Sequence, residues 1–162
     1  MNIYCIVNAN NQIITLFGGP QNPPTPAGYT VMDETDARYT AYVAAQTALE
    51  NGQNAYNTAI NGGIVLTSTG TPVLNGTYSV TPEACANISG VMSGISNGMG
   101  LPGSGSTFGY LDSTGNAHAF DATHFTAFAK TVRDYVYQCD IALATIQKGG
   151  TATFPSNQVT IA

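Results

Sequence analysis

Residues 125–146, FTAFAKTVRDYVYQCDIALATI, carry the strongest periodic pattern in the chain. Apolar residues recur there at alternating spacings of four and three, which keeps three heptads in register. These positions are Phe125, Ala129, Val132, Val136, Cys139, Leu143 and Ile146. Such a spacing gathers the apolar side chains into one narrow stripe of a helix, and a narrow stripe packs against another helix. The pattern therefore predicts a long helix over residues 122–148 whose partner helix belongs to the same chain or to another copy.

The segment before this helix, TFGYLDSTGNAHAF at residues 107–120, predicts a β-hairpin. Its two strand-like runs flank DSTGN, where Gly115 supplies the positive φ that a tight turn needs. Asp121 follows in the N-cap position of the helix. His118, Asp121 and His124 also form an H-x2-D-x2-H pattern, which is compatible with a metal site or an acid–base cluster. No neighbouring carboxylate or cysteine supplies a fourth ligand, and a cap with a first-turn histidine explains the pattern, so we expect these residues to be structural.

A second helix is predicted over residues 33–61, with Asp33 as its N-cap and Asp36 in an acidic first turn. It carries a similar stripe, formed by Tyr42, Ala45, Leu49, Gly52, Tyr56 and Ala59. A glycine inside a helix costs about 1 kcal/mol relative to alanine. We therefore expect the helix either to bend at Gly52 or to have another element packed closely on it.

The remaining segments complete an α+β fold in which small antiparallel hairpins pack with three helices. Thr81-Pro82-Glu83 is a typical helix start, with a capping threonine, a proline at the first helical position and an acidic first turn. The other predicted segments are an N-terminal β-hairpin arm (1–19), a proline-rich linker (20–32), a hairpin (64–80), a helix (82–97) and an extended C-terminal tail (149–162). Residues 33–148 would thus form one α+β module.

The chain has few charges for a protein of this size. Only 8% of its 162 residues are Asp, Glu, Lys or Arg, where about a quarter is usual. The four basic residues are scattered and the net charge is −5, so a nucleic-acid partner is not expected. The sequence shows neither a run of about 18 apolar residues nor a secretory signal pattern. A weakly charged surface is suited to permanent contact with other proteins.

Nothing in the sequence predicts a cofactor or a catalytic centre. Cys5, Cys85 and Cys139 are odd in number and far apart, so we expect buried free thiols. The serines of GSGS at 103–106 are not in a nucleophile-elbow context, and the glycines of this region do not open a helix after a strand. The acidic residues cluster only around 33–36, where a helix start accounts for them. The nine tyrosines are compatible with a contact surface, including one for sugars, or with half-buried strand faces.

Residues 64–148 resemble an uncharacterised domain family of phage tail-fibre and tail-fibre-assembly proteins. The features that carry the resemblance are Tyr78 in a strand, N-I-x-G in a helix (Asn87, Ile88, Gly90), a Y-x-D-x-x-G-x-x-H hairpin (Tyr110, Asp112, Gly115, His118) and a final helix with F-x-x-F-A (Phe125, Phe128, Ala129) and a later Tyr135-Val136. The family has no established catalysis. The resemblance therefore implies a place in a phage tail or fibre, and a trimer if the chain serves a fibre.

Together these observations predict a structural virion protein of the phage tail, assembled in the host cytoplasm and not an enzyme. It would link or decorate tail-fibre or baseplate proteins, associate with copies of itself, and use its N-terminal arm and C-terminal tail to add strands to neighbours. The expected contact residues on the two helix stripes are Tyr42, Leu49, Tyr56, Val132, Val136, Cys139, Leu143 and Ile146. One alternative is a fibre-assembly chaperone that is absent from the mature virion, and another is a receptor- or glycan-binding fibre tip.

Overall fold

The computed structural model describes residues 2–17 and 30–162, and these residues form an α+β fold. The helices are α1 (Ala37–Gly62), α2 (Pro82–Ser96) and α3 (Ala122–Gln147), with short 3-10 turns at Pro72–Leu74 and Pro102–Ser104. The strands are β1 (Asn2–Val7), β2 (Ile13–Phe17), β3 (Thr30–Asp33), β4 (Ile64–Ser68), β5 (Gly76–Tyr78), β6 (Phe108–Leu111), β7 (Ala117–Phe120) and β8 (Gln158–Ile161). The chain divides into two compact units between Asn51 and Gly52, and α1 contributes residues to both.

The N-terminal unit contains a three-stranded antiparallel sheet, where the sequence predicted a two-stranded arm. Strands are ordered β2-β1-β3, and Ile3 of β1 lies opposite Met32 of β3. Both of these side chains and Cys5 are buried. The prediction of a linker is therefore wrong for residues 30–32, which belong to β3. Met32 is apolar, so its strand can complete the sheet and bury that side chain. Residues 20–29 of that linker lie outside the described residues.

Helix α1 begins at Ala37, four residues later than predicted. Asp33 ends β3 opposite Asn2, and its Oδ1 accepts hydrogen bonds from Thr35 N at 2.9 Å and Thr35 Oγ1 at 2.8 Å, so it serves the turn before the helix and does not cap α1. Asp36 is the cap instead, since its Oδ1 accepts a hydrogen bond from Arg38 N at 2.8 Å and its carbonyl accepts from Thr40 N at 3.0 Å. An Asx residue in this geometry satisfies the free N–H groups of the first turn.

In the C-terminal unit the predicted helix starts are confirmed. Thr81 Oγ1 accepts a hydrogen bond from Ala84 N at 3.4 Å at the start of α2. Asp121 Oδ1 accepts from His124 N at 2.8 Å at the start of α3. The hairpin predicted at 107–120 is also present, as β6 and β7 paired antiparallel.

The C-terminal tail adds a strand to its own chain, which corrects the expectation that it would pair with a neighbour. Strand β8 lies parallel to β4 in a sheet of order β5-β4-β8, and Ser68 is opposite Ile161. The side chain of Ile161 is buried, and Val65 N donates to Asn157 O at 2.8 Å. The apolar side chain of Ile161 completes the core of the unit, which explains why the tail folds back.

Aromatic rings from the strands and from α3 form the centre of this core. Tyr78 lies within 6 Å of both Phe120 and Phe128, measured between ring centroids, and Phe125 packs on the latter two rings. Tyr78 is fully buried, and its hydroxyl donates to Leu74 O at 2.8 Å. Buried aromatic pairs in tilted and edge-on geometries stabilise the unit beyond the burial of their area.

The stripe of α3 packs against α1 of the same chain. Gly52 contacts Ile146, Tyr56 donates to Asp140 Oδ1 at 2.9 Å, and Tyr135 donates to Ala59 O at 3.1 Å. As the numbers rise along α1 they fall along α3, so the two helices run antiparallel. Of the two partners that the sequence left open, the structure shows a helix of the same chain.

Candidate functional site

A groove of about 270 Å³ runs along the surface where α2 meets α3. We call it the α2–α3 groove. Its floor is apolar, since Ile88 of α2 and Ala129 and Val132 of α3 are buried residues that line it. Its rim is formed by exposed side chains, chiefly Arg133, which is 73% exposed, and Tyr137, which is 64% exposed. An apolar floor with an aromatic and a guanidinium on its rim is typical of protein contact surfaces.

The helical repeat of α3 places opposite charges at the two ends of the rim. Arg133, Tyr137 and Asp140 follow one another at spacings of four and three, so they share one face of the helix. This face lies directly beside the buried stripe, which is why the rim is next to an apolar floor. With a rise of 1.5 Å per residue, Arg133 and Asp140 are about 10 Å apart along the axis. Tyr137 lies between them.

At the basic end Arg133 belongs to a small ionic cluster. Its Nε and Nη2 donate to Asp134 Oδ1 at 3.1 and 2.8 Å, and Lys130 Nζ donates to Asp134 Oδ2 at 2.7 Å. Hydrogen bonds from Lys130 and then from Arg133 hold the pKa of the Asp134 carboxyl below its usual range. Two cations share one carboxylate, so this end of the groove keeps a net positive charge.

At the acidic end Asp140 is positioned by Tyr56. The Tyr56 hydroxyl donates to Asp140 Oδ1 at 2.9 Å, and Asp140 is exposed. Burial, followed by this hydrogen bond, raises the pKa of Tyr56. A neutral tyrosine donor leaves the negative charge of Asp140 in place and holds its carboxylate in one orientation.

The predicted contact residues of α3 are mostly part of the protein's own core. Cys139 is fully buried and Leu143 and Ile146 are half-buried, so none of them offers a large free surface. Val132 and Val136 do line the α2–α3 groove, although Val132 is buried at its floor. The stripe was therefore identified correctly as apolar, but most of its surface is covered by the chain itself.

The predicted contact residues of α1 occupy different places. Tyr56 donates a hydrogen bond to Asp140 at the acidic end of the α2–α3 groove. Tyr42 lines a wider groove of about 750 Å³ within the N-terminal unit, together with Ile13 and Ile14 of β2. Leu49 is half-buried.

The apolar pattern of α3 does not single out Tyr137, Asp140 or the contact role of Arg133. The signal that identifies them is a second stripe on α3, one position away from the apolar one. It contains a cation, an exposed tyrosine and an anion at spacings of four and three.

The histidines of the H-x2-D-x2-H pattern have separate partners. His118 Nδ1 is 2.6 Å from Val73 O and its Nε2 is 3.1 Å from Asp112 Oδ2. His124 Nδ1 is 2.8 Å from Asp121 Oδ2, and its Nε2 is 3.1 Å from Thr71 Oγ1. Within residues 2–17 and 30–162, no three His, Cys, Asp or Glu side chains are grouped so that they could hold a metal ion.

Asp121, His124 and Thr71 are linked by hydrogen bonds in the order acid, histidine, hydroxyl, which is also the order of a nucleophilic triad. We call these three residues the Asp121–His124–Thr71 relay. Its members connect structural elements. Asp121 caps α3, and His124 joins the first turn of that helix to the loop after β4. Thr71 N donates to Ser68 Oγ at 3.0 Å. The backbone N–H beside the Thr71 hydroxyl therefore already has an acceptor within the protein. We therefore interpret the relay as a link between α3 and that loop.

The three cysteines are free thiols, as predicted. Cys5 and Cys139 are buried, whereas Cys85 is half-buried at the edge of the α2–α3 groove. Its thiol donates to Val80 O at 3.3 Å. Burial raises the pKa of Cys85, so this thiol is held in its neutral form.

A scan against protein-family models gave no match, and searches of curated proteins and of solved structures gave none either. Among the described residues, none of the helices is long and apolar enough to cross a membrane.

Proposed function

We propose that this chain is a structural component of a phage tail, which links or decorates tail-fibre or baseplate proteins through contacts between folded surfaces. The observation that supports a contact role is the α2–α3 groove, where Tyr137 and Arg133 are exposed beside an apolar floor. Tyrosine and arginine are among the residues that contribute most to binding at protein interfaces. The place in a phage tail comes from the family resemblance of residues 64–148.

The scarcity of charge supports a permanent contact. Helix α1 has 26 residues and only two of them, Arg38 and Glu50, are charged. An exposed helix in water usually carries charged residues at spacings of three and four that support one another. Val43 of this helix is 40% exposed. A helix with this composition is suited to an assembly in which neighbouring chains cover part of its surface.

The proposal assigns no reaction, cofactor or nucleic acid to the chain. Its partners are other tail or fibre proteins and further copies of itself, and its location is the virion after assembly in the host cytoplasm. The location in the virion is tested by measuring whether the protein is present in a mature particle.

The test is quantitative mass spectrometry of purified virions of the phage that encodes this chain. We expect the chain at a fixed copy number relative to the tail proteins, and cross-links from its lysines to one of them. Virions without the chain would overturn the proposal. If the chain then bound isolated fibre protein reversibly, it would be an assembly chaperone.

A virion made with Tyr137→Ser chain sharpens the test. We expect fewer copies per particle, because the substitution removes the aromatic ring of the contact surface. The matched control is Leu111→Ser, which removes a similarly exposed apolar side chain (60% exposed) from β6. An equal loss for both variants would contradict the role of the α2–α3 groove.

A further inference from the structure

The charges on the rim of the α2–α3 groove are self-complementary. Arg133 lies four residues before Tyr137 and Asp140 lies three residues after it. We propose that the groove binds the same groove of a second copy of this chain, with the two α3 helices antiparallel about a two-fold axis beside Tyr137. This inference rests on the contact role proposed above, and it names the partner.

The register follows from the positions of the charges. A two-fold axis midway between Val136 and Tyr137 exchanges position 133 with position 140. Arg133 of each copy then faces Asp140 of the other, which makes two equivalent ion pairs at the ends of the contact. A parallel arrangement would instead place Arg133 beside Arg133 and Asp140 beside Asp140. The antiparallel pair is therefore the one that the charges favour.

The other charged side chains of α3 are compatible with this register. The same two-fold axis places Lys130 opposite Leu143 of the second copy and Asp134 opposite Cys139 of the second copy. Neither charge meets a like charge. The cluster of Lys130, Asp134 and Arg133 described above can thus stay intact when the two copies meet.

The apolar part of the contact is centred on the tyrosine. Tyr137 of each copy comes to lie against the groove of the other, where it meets the half-buried side chain of Val136 above the buried Val132. Ile141, which is 50% exposed, lies one turn further along the same face. Burial of these side chains supplies the attraction, while the ion pairs select the antiparallel register. Because the contact is isologous, it closes at two copies and does not extend into a filament.

The first experiment measures the solution mass of the isolated full chain by sedimentation equilibrium. We expect the wild type to reach twice the 16.8 kDa of one chain. Arg133→Asp and Asp140→Arg should each be monomeric, since each variant opposes like charges in its own dimer. An equimolar mixture of the two variants should recover the dimer, because every ion pair is then between opposite charges.

Two further variants separate binding from folding. Tyr137→Ala should weaken dimerisation at least about tenfold, whereas Leu111→Ala, on β6, should leave it unchanged. Tyr56→Phe removes the hydrogen bond to Asp140 but keeps both rim charges, so it should still dimerise. Circular dichroism of every variant checks that the helices are formed.

The outcomes separate this inference from the proposed function. A wild-type chain that stays monomeric at about 1 mM, one that forms a trimer, or a mixture of the two charge variants that stays monomeric overturns the two-fold contact. A chain present in virions but monomeric in solution overturns the two-fold contact alone. A dimer in solution that is absent from virions overturns the proposed function alone.

Discussion

Gly52 of α1 and Ile146 of α3 approach so closely that a Cβ on Gly52 would lie 2.7 Å from Ile146 Cγ2. The glycine is buried although it is in the interior of a 26-residue helix. Its helix-propensity cost of about 1 kcal/mol is offset by the close packing that it allows. The two alternatives that the sequence left open at this position, a bend or a close neighbour, are thereby resolved in favour of the neighbour.

The substitution Gly52→Ala tests this contact. Overpacking costs about 1–3 kcal/mol and the gain in helix propensity recovers about 1 kcal/mol, so we expect a net loss of about 1 kcal/mol in the free energy of unfolding. Urea unfolding followed by circular dichroism measures it. The matched control is Gly62→Ala in the last turn of the same helix, where a Cβ would have no neighbour within 4 Å.

A double-mutant cycle gives the outcome that would contradict this interpretation. In the Gly52→Ala background, Ile146→Ala should cost less than it does in the wild type, because it removes the atoms that clash. Additive effects of the two substitutions would show that the two side chains are not in contact.

The buried hydroxyl of Tyr78 provides a second prediction. Tyr78→Phe keeps the ring among the core aromatics but leaves Leu74 O without its 2.8 Å hydrogen bond. We expect a loss of about 1–2 kcal/mol in the free energy of unfolding. Tyr137→Phe removes an exposed hydroxyl and should change it by less than about 0.5 kcal/mol. Equal effects in the same urea experiment would argue against a buried hydrogen bond.

The C-terminal strand is predicted to be essential for the stability of its unit. Ile161 is 5% exposed on β8, so Ile161→Ala should cost about 2–4 kcal/mol. Thr160 points to the other face of the same strand and is exposed, and Thr160→Ala should cost less than about 0.5 kcal/mol. Thermal unfolding compares the two. A small effect of Ile161→Ala would mean that β8 does not hold its place beside β4 in solution.

His118 connects stability to pH. Both of its ring nitrogens face acceptors, Val73 O and the Asp112 carboxylate, so the protonated imidazolium can donate to both. The hydrogen bond to Val73, supported by Asp112, raises the pKa of His118 above 6.5. Hydrogen bonds from Thr114 first, and also from His118, hold the pKa of Asp112 well below its usual range. The ring of Tyr78 packs edge-on against the imidazole at 5.6 Å.

The sign of the pH dependence follows from these directions. A raised histidine pKa stabilises the fold fully below about pH 6.5, and this contribution is lost as the pH rises through the higher folded pKa. A lowered Asp112 pKa stabilises the fold above about pH 4, and this contribution is lost as the pH falls. We therefore expect this pair to contribute most between about pH 4 and 6.5.

Urea unfolding at pH 5, 6, 7 and 8 checks this expectation. The wild type should lose stability across the upper part of this range, and His118→Gln should lose less of it. If the two proteins showed parallel pH profiles, the ion pair would not be the cause.

Local sequence patterns determined most of the C-terminal unit. The caps at Thr81 and Asp121 predicted the starts of α2 and α3 because capping is satisfied within one turn of the chain. Gly115 predicted the turn between β6 and β7, and it has a φ of 89° in the structure. The heptad spacing predicted α3 and its apolar stripe, since the helical period alone decides which side chains share a face.

Strand pairing that depends on distant residues is less predictable from the sequence. Residues 30–33 and 158–161 form short strands, and the strand that each of them pairs with, β1 for the first and β4 for the second, is not specified by the local sequence. The register of such pairs depends on which apolar side chain a distant core can accept, here Met32 and Ile161. The same limit explains why the sequence predicts a cap at Asp33, whereas Asp36 provides it in the structure.

The sequence alone determined that α3 has a stripe able to pack on another helix, because that property is local to the helix. Only the tertiary structure decided what covers it: α1 of the same chain lies against Ile146 of the stripe through Gly52. Because this face is covered, the exposed surface of α3 is the neighbouring stripe of Arg133, Tyr137 and Asp140. A candidate contact site consists of the side chains that remain exposed after the core has formed. Its position therefore depends on how all the elements of the unit pack together.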